Sequence, residues 1–363
     1  MGGHDDHGHG HGGAGHGHGH DQGHGHDRGH APAAAAGGDA HAHDEDPAHH
    51  GEPPFVKDEP FGPPKKMVPV GDGVELACLD RGEGPAILFL HGFPTSAYLF
   101  RHAIEELEAS HRCVAPDLLG LGDSTGPADA DLSFPAQAER VARLLDTLGI
   151  PEATVVGHDQ GGGVAQHLLV VAPERVARLA LVDSIAFDNW PIAVTRRLGR
   201  LARSRILFDL ATETGLLRRF AGSASGLRAG VHDPAALTDA AIDEYLRPAV
   251  EGNLFFRDAR ERMRRYAAQF CCVERPSTLD CVDALKAFTR PALVVWGAED
   301  RWLSVSWAKK LADTIPGCRR LELLAFCGHL VPEEQPKALA GFIAELIAAP
   351  AESPATEAAT VEG

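Results

Sequence analysis

The stretch VVGHDQGGGVAQ at residues 155–166 constrains the fold more than any other part of this 363-residue chain. The run ATVVG (153–157) reads as a buried strand, and apolar residues at helical spacing begin again at Gly161. Between them lies G-x-D-x-G, with Gly157 and Gly161 flanking Asp159. Glycines on both sides allow a sharp, strained turn with close backbone neighbours. Such a turn lifts Asp159 above the end of the strand, beside the N-terminus of the next helix. The dipole there favours an anion, so Asp159 is expected to stay ionised. The same residues also fit a plain Gly-rich turn with Asp159 as helix cap.

The rest of the chain supplies the sheet this turn needs. Apolar runs at Pro85–His91, Arg112–Pro116, Leu179–Val182, Ala292–Trp296 and Leu321–Leu324 read as strands. Helical spacing follows at Phe134–Leu148, Gly161–Ala172, Val305–Thr314 and Gln335–Ala348. Alternation of this kind predicts an α/β fold with a doubly wound, mostly parallel sheet. From 185 to 288 the sequence is helical and Arg-rich, without a clear strand. That is too long for a crossover and predicts an inserted helical cap over the carboxyl ends of the strands, where ligands bind in open sheets. The domain reading is therefore core at 67–184, cap at 185–288 and core again at 289–349.

Composition divides the chain differently. Fourteen of the 21 histidines fall in residues 1–50, in repeats such as HGHGH, with eight acids and one base, Arg28. Residues 1–66 read as a disordered His/Gly-rich tail and Pro-rich linker, and 350–363 as a second disordered tail, since neither has enough apolar surface to offset ordering. The tail suggests a hypothesis of another class, a metal-binding protein, with His16, His18 and His20 as representative ligands for a transition metal. The plainer reading is a solvated tail that titrates near pH ~6.5.

The net charge of −17 gives no footprint for nucleic acid. No apolar run approaches the ~20 residues of a membrane span, so no membrane partner is expected. Seven scattered cysteines without C-x-x-C, and no apolar leader segment, point to a reducing, cytoplasmic setting.

Chemistry enters through order. Asp300, in GAEDRWLS, and His329, in FCGHLVPEEQP, each follow a predicted strand, and HGFP (91–94) follows an earlier one. Asp159, Asp300 and His329 thus stand in the order nucleophile, acid, histidine at strand ends, with Asp where a nucleophile elbow usually carries Ser. Residues 67–348 resemble the α/β-hydrolase superfamily, in particular its aspartate-nucleophile branch of haloalkane dehalogenases and epoxide hydrolases. HGFPTSAYLFR (91–101) resembles the dehalogenase stretch HGNPTSSYLWR, and APDLLGLGDS (115–124) resembles APDLIGMGKS. In that family some members place the acid after the strand that here ends at Val182, which makes Asp183 the reserve for Asp300.

A carboxylate at the elbow favours displacement at sp³ carbon over acyl transfer, giving an alkyl-enzyme ester. His329 would activate water, Asp300 would orient His329, and the N–H groups of Phe93 and Gln160 would hold the oxyanion. No cofactor and no metal at the catalytic site is expected; the partners are a small apolar substrate and water. The resemblance implies Trp after a dehalogenase nucleophile, where this chain has Gln160, and two cap tyrosines in an epoxide hydrolase. Of three tyrosines, Tyr98, Tyr245 and Tyr266, only Tyr266 lies near an expected cap position. Halide release from small haloalkanes is the first expectation and epoxide hydrolysis the alternative. Tyr266, Trp190 and Phe256 are the pocket candidates, with Phe208 and Phe255 behind them.

Overall fold

The computed structural model describes residues 64–250, 257–271 and 273–350. Eight strands form one sheet: β1 (Lys66–Pro69), β2 (Glu75–Arg81), β3 (Ala86–Leu90), β4 (Arg112–Pro116), β5 (Ala153–His158), β6 (Val176–Val182), β7 (Ala292–Gly297) and β8 (Cys318–Leu324). Their spatial order is β1-β2-β4-β3-β5-β6-β7-β8. β2 pairs antiparallel with β1 and β4, and β3 to β8 run parallel. The central strands are mostly apolar because both faces are covered; all six residues of β5 and of β7 are buried.

Helices α1 (Arg101–Leu107), α2 (Phe134–Thr147) and α3 (Gln160–Val171) pack on the first half of the sheet. α2 starts where Ser133 accepts a hydrogen bond from the Ala136 N–H, with Pro135 in its first turn. Between β6 and β7 the chain forms the helical cap: α4 (Ala193–Arg203), α5 (Arg205–Glu213), α6 (Leu216–Ala221), α7 (Asp239–Val250), α8 (Arg257–Phe270) and α9 (Val282–Ala287). The second core segment adds α10 (Val305–Thr314), α11 (Val331–Glu334) and α12 (Pro336–Ala348). The α/β fold with a mostly parallel sheet and inserted cap is as predicted.

Two departures concern the start of the chain. β1 and β2 form an antiparallel edge where no strand was predicted; β1 has four residues, and ELACLDR in β2 lacks β-branched side chains. The linker expected to reach residue 66 also ends sooner. Lys65 is largely buried, its Nζ 2.7 Å from Asp117 and 3.0 Å from Asp123, and Lys66 begins β1. His16, His18, His20, the remaining tail residues and Phe256 lie outside the described residues.

Among the described residues no helix is long and apolar enough to cross a membrane. Of the six described cysteines, five are buried.

Candidate active site

The turn after β5 is built as its glycines require. A Cβ on Gly161 would come within 2.0 Å of the Leu90 carbonyl oxygen, and one on Gly157 within 2.6 Å of the Gly162 Cα. Only hydrogen fits at either position. Asp159 between them adopts φ 49°, ψ −118°, a sparsely populated conformation for an L residue. The surrounding packing holds that strain. Its carboxylate stands at the carboxyl end of β5, over the start of α3.

Asp159 Oδ2 accepts the Phe93 N–H at 3.1 Å, and the Gln160 N–H also bonds the carboxylate. Oδ1 lies 3.9 Å from His329 Nε2, beyond direct hydrogen-bond range. On the other side of the ring, His329 Nδ1 is 2.8 Å from Asp300 Oδ2. Asp300 Oδ1 accepts the N–H groups of Trp302 (2.7 Å) and Leu303 (2.9 Å), so this fully buried carboxylate is held at both oxygens. The structure thus brings Asp159, His329 and Asp300 together, with Phe93 and Gln160 beside them.

Asp183 reaches the same place by another route. It follows β6 with φ 40°, and its Oδ1 accepts the Gly297 N–H at 2.8 Å. Ligand atoms of Asp183, Asp300 and His329 all lie within 4.8 Å of one another. Asp183 Oδ2, however, is buried with no hydrogen-bond partner. Burial, reinforced by the Asp300 charge, pushes the Asp183 carboxyl far above the carboxylate range. The hydrogen bond to His329 belongs to Asp300.

The electrostatics of the other two groups follow from burial and from each other. Burial raises Asp159 above its ordinary range, and His329 with the N–H groups of Phe93 and Gln160 only partly opposes it. The helix terminus was expected to dominate; desolvation outweighs it here. Burial alone would lower His329, but Asp300, Asp159 and Asp183 overcome it and lift the imidazole to about 9. At neutral pH His329 is therefore an imidazolium between two carboxylates.

Two further histidines are structural. Burial lowers His91 to about 4, and its neutral ring ties two loops by accepting the Leu118 N–H at Nε2 and donating from Nδ1 to the Gly92 carbonyl. His158 is also driven well down by burial, and its Nε2 meets the His329 carbonyl oxygen at 2.9 Å. It fixes the backbone of His329.

A cavity of about 100 Å³ opens over Asp159 and His329. Its wall comprises Phe93, Asp159, Gln160, Trp302, Leu303 and His329 from the core, faced by apolar cap residues including Trp190, Leu198, Phe208, Phe220, Leu246 and Met263. Trp190 is on the wall, and its indole N–H is committed to Thr278 Oγ1 at 2.9 Å. Tyr266 is not on the wall. Its ring stacks on Phe93 at 5.9 Å, and its buried hydroxyl has no partner. Tyr245 bonds Glu333, and Tyr98 lies under the Arg101 guanidinium. Trp302 escaped sequence reading: its ring centroid is 4.9 Å from that of His329, and its place two residues after Asp300 is the only linear signal. Asp117 escaped it too. Its Oδ1 accepts the Ala97 N–H at 2.8 Å, tethering the loop that carries Phe93.

The fold has known counterparts. The α/β hydrolase fold family model matches residues 85–336, and the chain belongs to that family. Over 283 residues it is 25% identical to Epoxide hydrolase 4 of Mus musculus, covering 74% of each chain. Over 274 residues it is 28% identical to Haloalkane dehalogenase 2 of Mycobacterium tuberculosis, covering 74% of this chain and 89% of that one. A crystal structure of an alpha/beta hydrolase fold protein from Burkholderia ambifaria superposes with a TM-score of 0.62 at 26% identity, covering 77% of this chain and 99% of the other. The chain is thus a hydrolase of this family.

Proposed function

We propose that this hydrolase displaces a leaving group from an sp³ carbon of a small apolar substrate through an Asp159 ester. The observation that carries the reading is a desolvated carboxylate at the elbow, bonded by the N–H groups of Phe93 (at Oδ2) and Gln160, while Oδ1 faces His329. Oδ1 attacks carbon and the leaving group departs with the bonding pair. The ester carbonyl oxygen, Oδ2, already accepts the Phe93 N–H, which can stabilise an oxyanion there, and the Gln160 N–H bonds the same carboxylate.

Alkylation also frees the base. The Asp159 charge is one of the causes that hold His329 as an imidazolium, and esterification removes it. The imidazole pKa then falls, and His329 gives up a proton so that neutral Nε2 can accept one from water. Water attacks the Asp159 carbonyl carbon as His329 takes one of its protons, and Asp300 steadies the returning imidazolium. The bond from that carbon to Oδ1 breaks as Oδ1 takes the imidazolium proton and leaves in the alcohol, and the second water proton passes from the new carboxyl to His329. One solvent oxygen remains in Asp159.

Halide is the leaving group we favour. An alkoxide from an epoxide needs a proton, and none of the three tyrosines lines this cavity. Halide needs none, and the Gln160 side chain on the wall offers an amide donor. Epoxide opening remains the second reading because the Tyr266 hydroxyl is unpartnered and electrostatically coupled to Asp159. Parallel assays of bromide release from 1-bromobutane and diol formation from 1,2-epoxyhexane test the choice. Bromide release without diol supports the first reading, and diol alone reverses it. A role for Gln160 predicts that Gln160→Leu weakens halide release while leaving the fold intact.

A further inference from the structure

Among the described residues, eleven large apolar side chains are exposed, and five of them fall between 206 and 220 in the cap. Ile206 is 81% exposed; Leu207, Leu210 and Leu216 are each more than half exposed, and Phe220 is 40% exposed. They lie on α5 and α6, whose inner residues Phe208 and Leu217 line the cavity; Phe220 belongs to both surfaces. The exposed apolar face therefore runs to the cavity wall.

The charge of this segment opposes that of the molecule. Residues 196–220 hold seven arginines and two acids, Asp209 and Glu213, in a chain of net charge −17. Arg196, Arg197, Arg200 and Arg203 occupy the exposed side of α4, while Gly199 and Ala202 are its buried residues. Arg205 and Arg219 are exposed on the neighbouring helices. Glu213 is engaged by Arg260 at 3.1 Å, Asp209 lies 3.6 Å from Arg205, and Arg218 pairs with Asp239 at 2.9 Å.

We infer that the outer face of α4, α5 and α6 docks on an anionic lipid surface. Aliphatic side chains beside several guanidinium groups are what the headgroup boundary of such a membrane takes up. Two other occupants fit less well. A second copy meeting the same face would set arginines against arginines. The acidic residues 1–50 of this chain match the charge but contain no Val, Leu, Ile or aromatic side chain to cover the apolar surface. The absence of a membrane partner was expected on spanning length alone, and peripheral docking needs no span. Contact at this face would present the cavity directly to apolar molecules dissolved in the bilayer. The docking itself does not depend on the reaction at Asp159.

The test is flotation of the full chain with vesicles of phosphatidylcholine alone, or with one quarter phosphatidylserine. At about pH 8 the tail histidines are neutral and the tail cannot attract anionic lipid. The protein is expected to float only with the phosphatidylserine vesicles. Binding should fall roughly tenfold or more in Arg200→Glu/Arg203→Glu, and comparably in Ile206→Ser/Leu210→Ser. None of these four residues lines the cavity, so turnover of a soluble substrate should persist and report an intact fold. The inference is overturned if the wild type fails to float with either vesicle. It is also overturned if both variants float as well as the wild type, or if Ile206→Ser/Leu210→Ser instead abolishes self-association in sedimentation.

Discussion

In the sheet, Asp159, Asp300 and His329 each follow a strand and are locked by buried hydrogen bonds. In the cap, the residues facing the same cavity are aliphatic and aromatic side chains from helices with arginine on their outer surfaces. The sheet supplies groups whose positions cannot drift, because each is tied to a backbone that is itself buried. The cap supplies shape and an apolar medium. Reaction type should therefore reside in the first region, and substrate choice and access in the second.

The largest effect that would break this division is at the elbow. Replacing Asp159 with Ala should cost roughly 10⁴–10⁶-fold in turnover, as loss of a nucleophile does in other triads, with the thermal midpoint little changed. Retained turnover would place the reaction elsewhere. Next comes the acid. Asp300→Asn should lower turnover by about 10²–10⁴-fold and remove the leading support for the His329 charge. His329 is lifted to about 9 in the resting protein. Losing Asp300 lowers it, so the rising limb of the pH–rate profile should move to lower pH. Asp183→Asn should move that limb less, because Asp183 ranks behind Asp300 and Asp159 among the charges that lift His329, and an amide oxygen still accepts the Gly297 N–H. If the limb moves only in Asp183→Asn, the two acids exchange roles.

Gly161→Ala probes the scaffold. A methyl group 2.0 Å from the Leu90 carbonyl oxygen must displace backbone, at a cost of about 1–3 kcal/mol or more. A melting curve should show a lower midpoint together with lost activity. The smallest effect is expected in the cap. Tyr266→Phe should leave halide release nearly unchanged, whereas loss of a general acid typically costs roughly 10²–10⁴-fold. A fall of that size with an epoxide would sharpen the comparison, since one cap residue would then share in the chemistry.

The same contrast explains what could be read from the sequence. β3 and β7 were visible because buried parallel strands read as apolar runs, and β4, β5, β6 and β8 through the apolar parts of theirs. Asp159, Asp300 and His329 were visible because each lies just past the end of one of these strands. β1 and β2 were not, since a short edge and ELACLDR carry no period-two pattern. Cap side chains resist linear reading for another reason. Trp190 and Tyr266 are both buried aromatics, yet one faces the cavity and the other lies behind Phe93. Helix rotation and packing decide that difference, and spacing alone does not contain it. The competition between Asp183 and Asp300 likewise needed the observed hydrogen bond of 2.8 Å to His329.

The central claim is covalent chemistry at Asp159, and intact-mass spectrometry of His329→Gln tests it directly. Incubation with 1-bromobutane should replace one proton by a butyl group, and peptide mapping should place it on Asp159. An adduct of the whole epoxide from 1,2-epoxyhexane at the same residue would keep the mechanism and change the leaving group. A folded His329→Gln protein that stays unmodified by both reagents, while the wild type turns one of them over, would contradict the account.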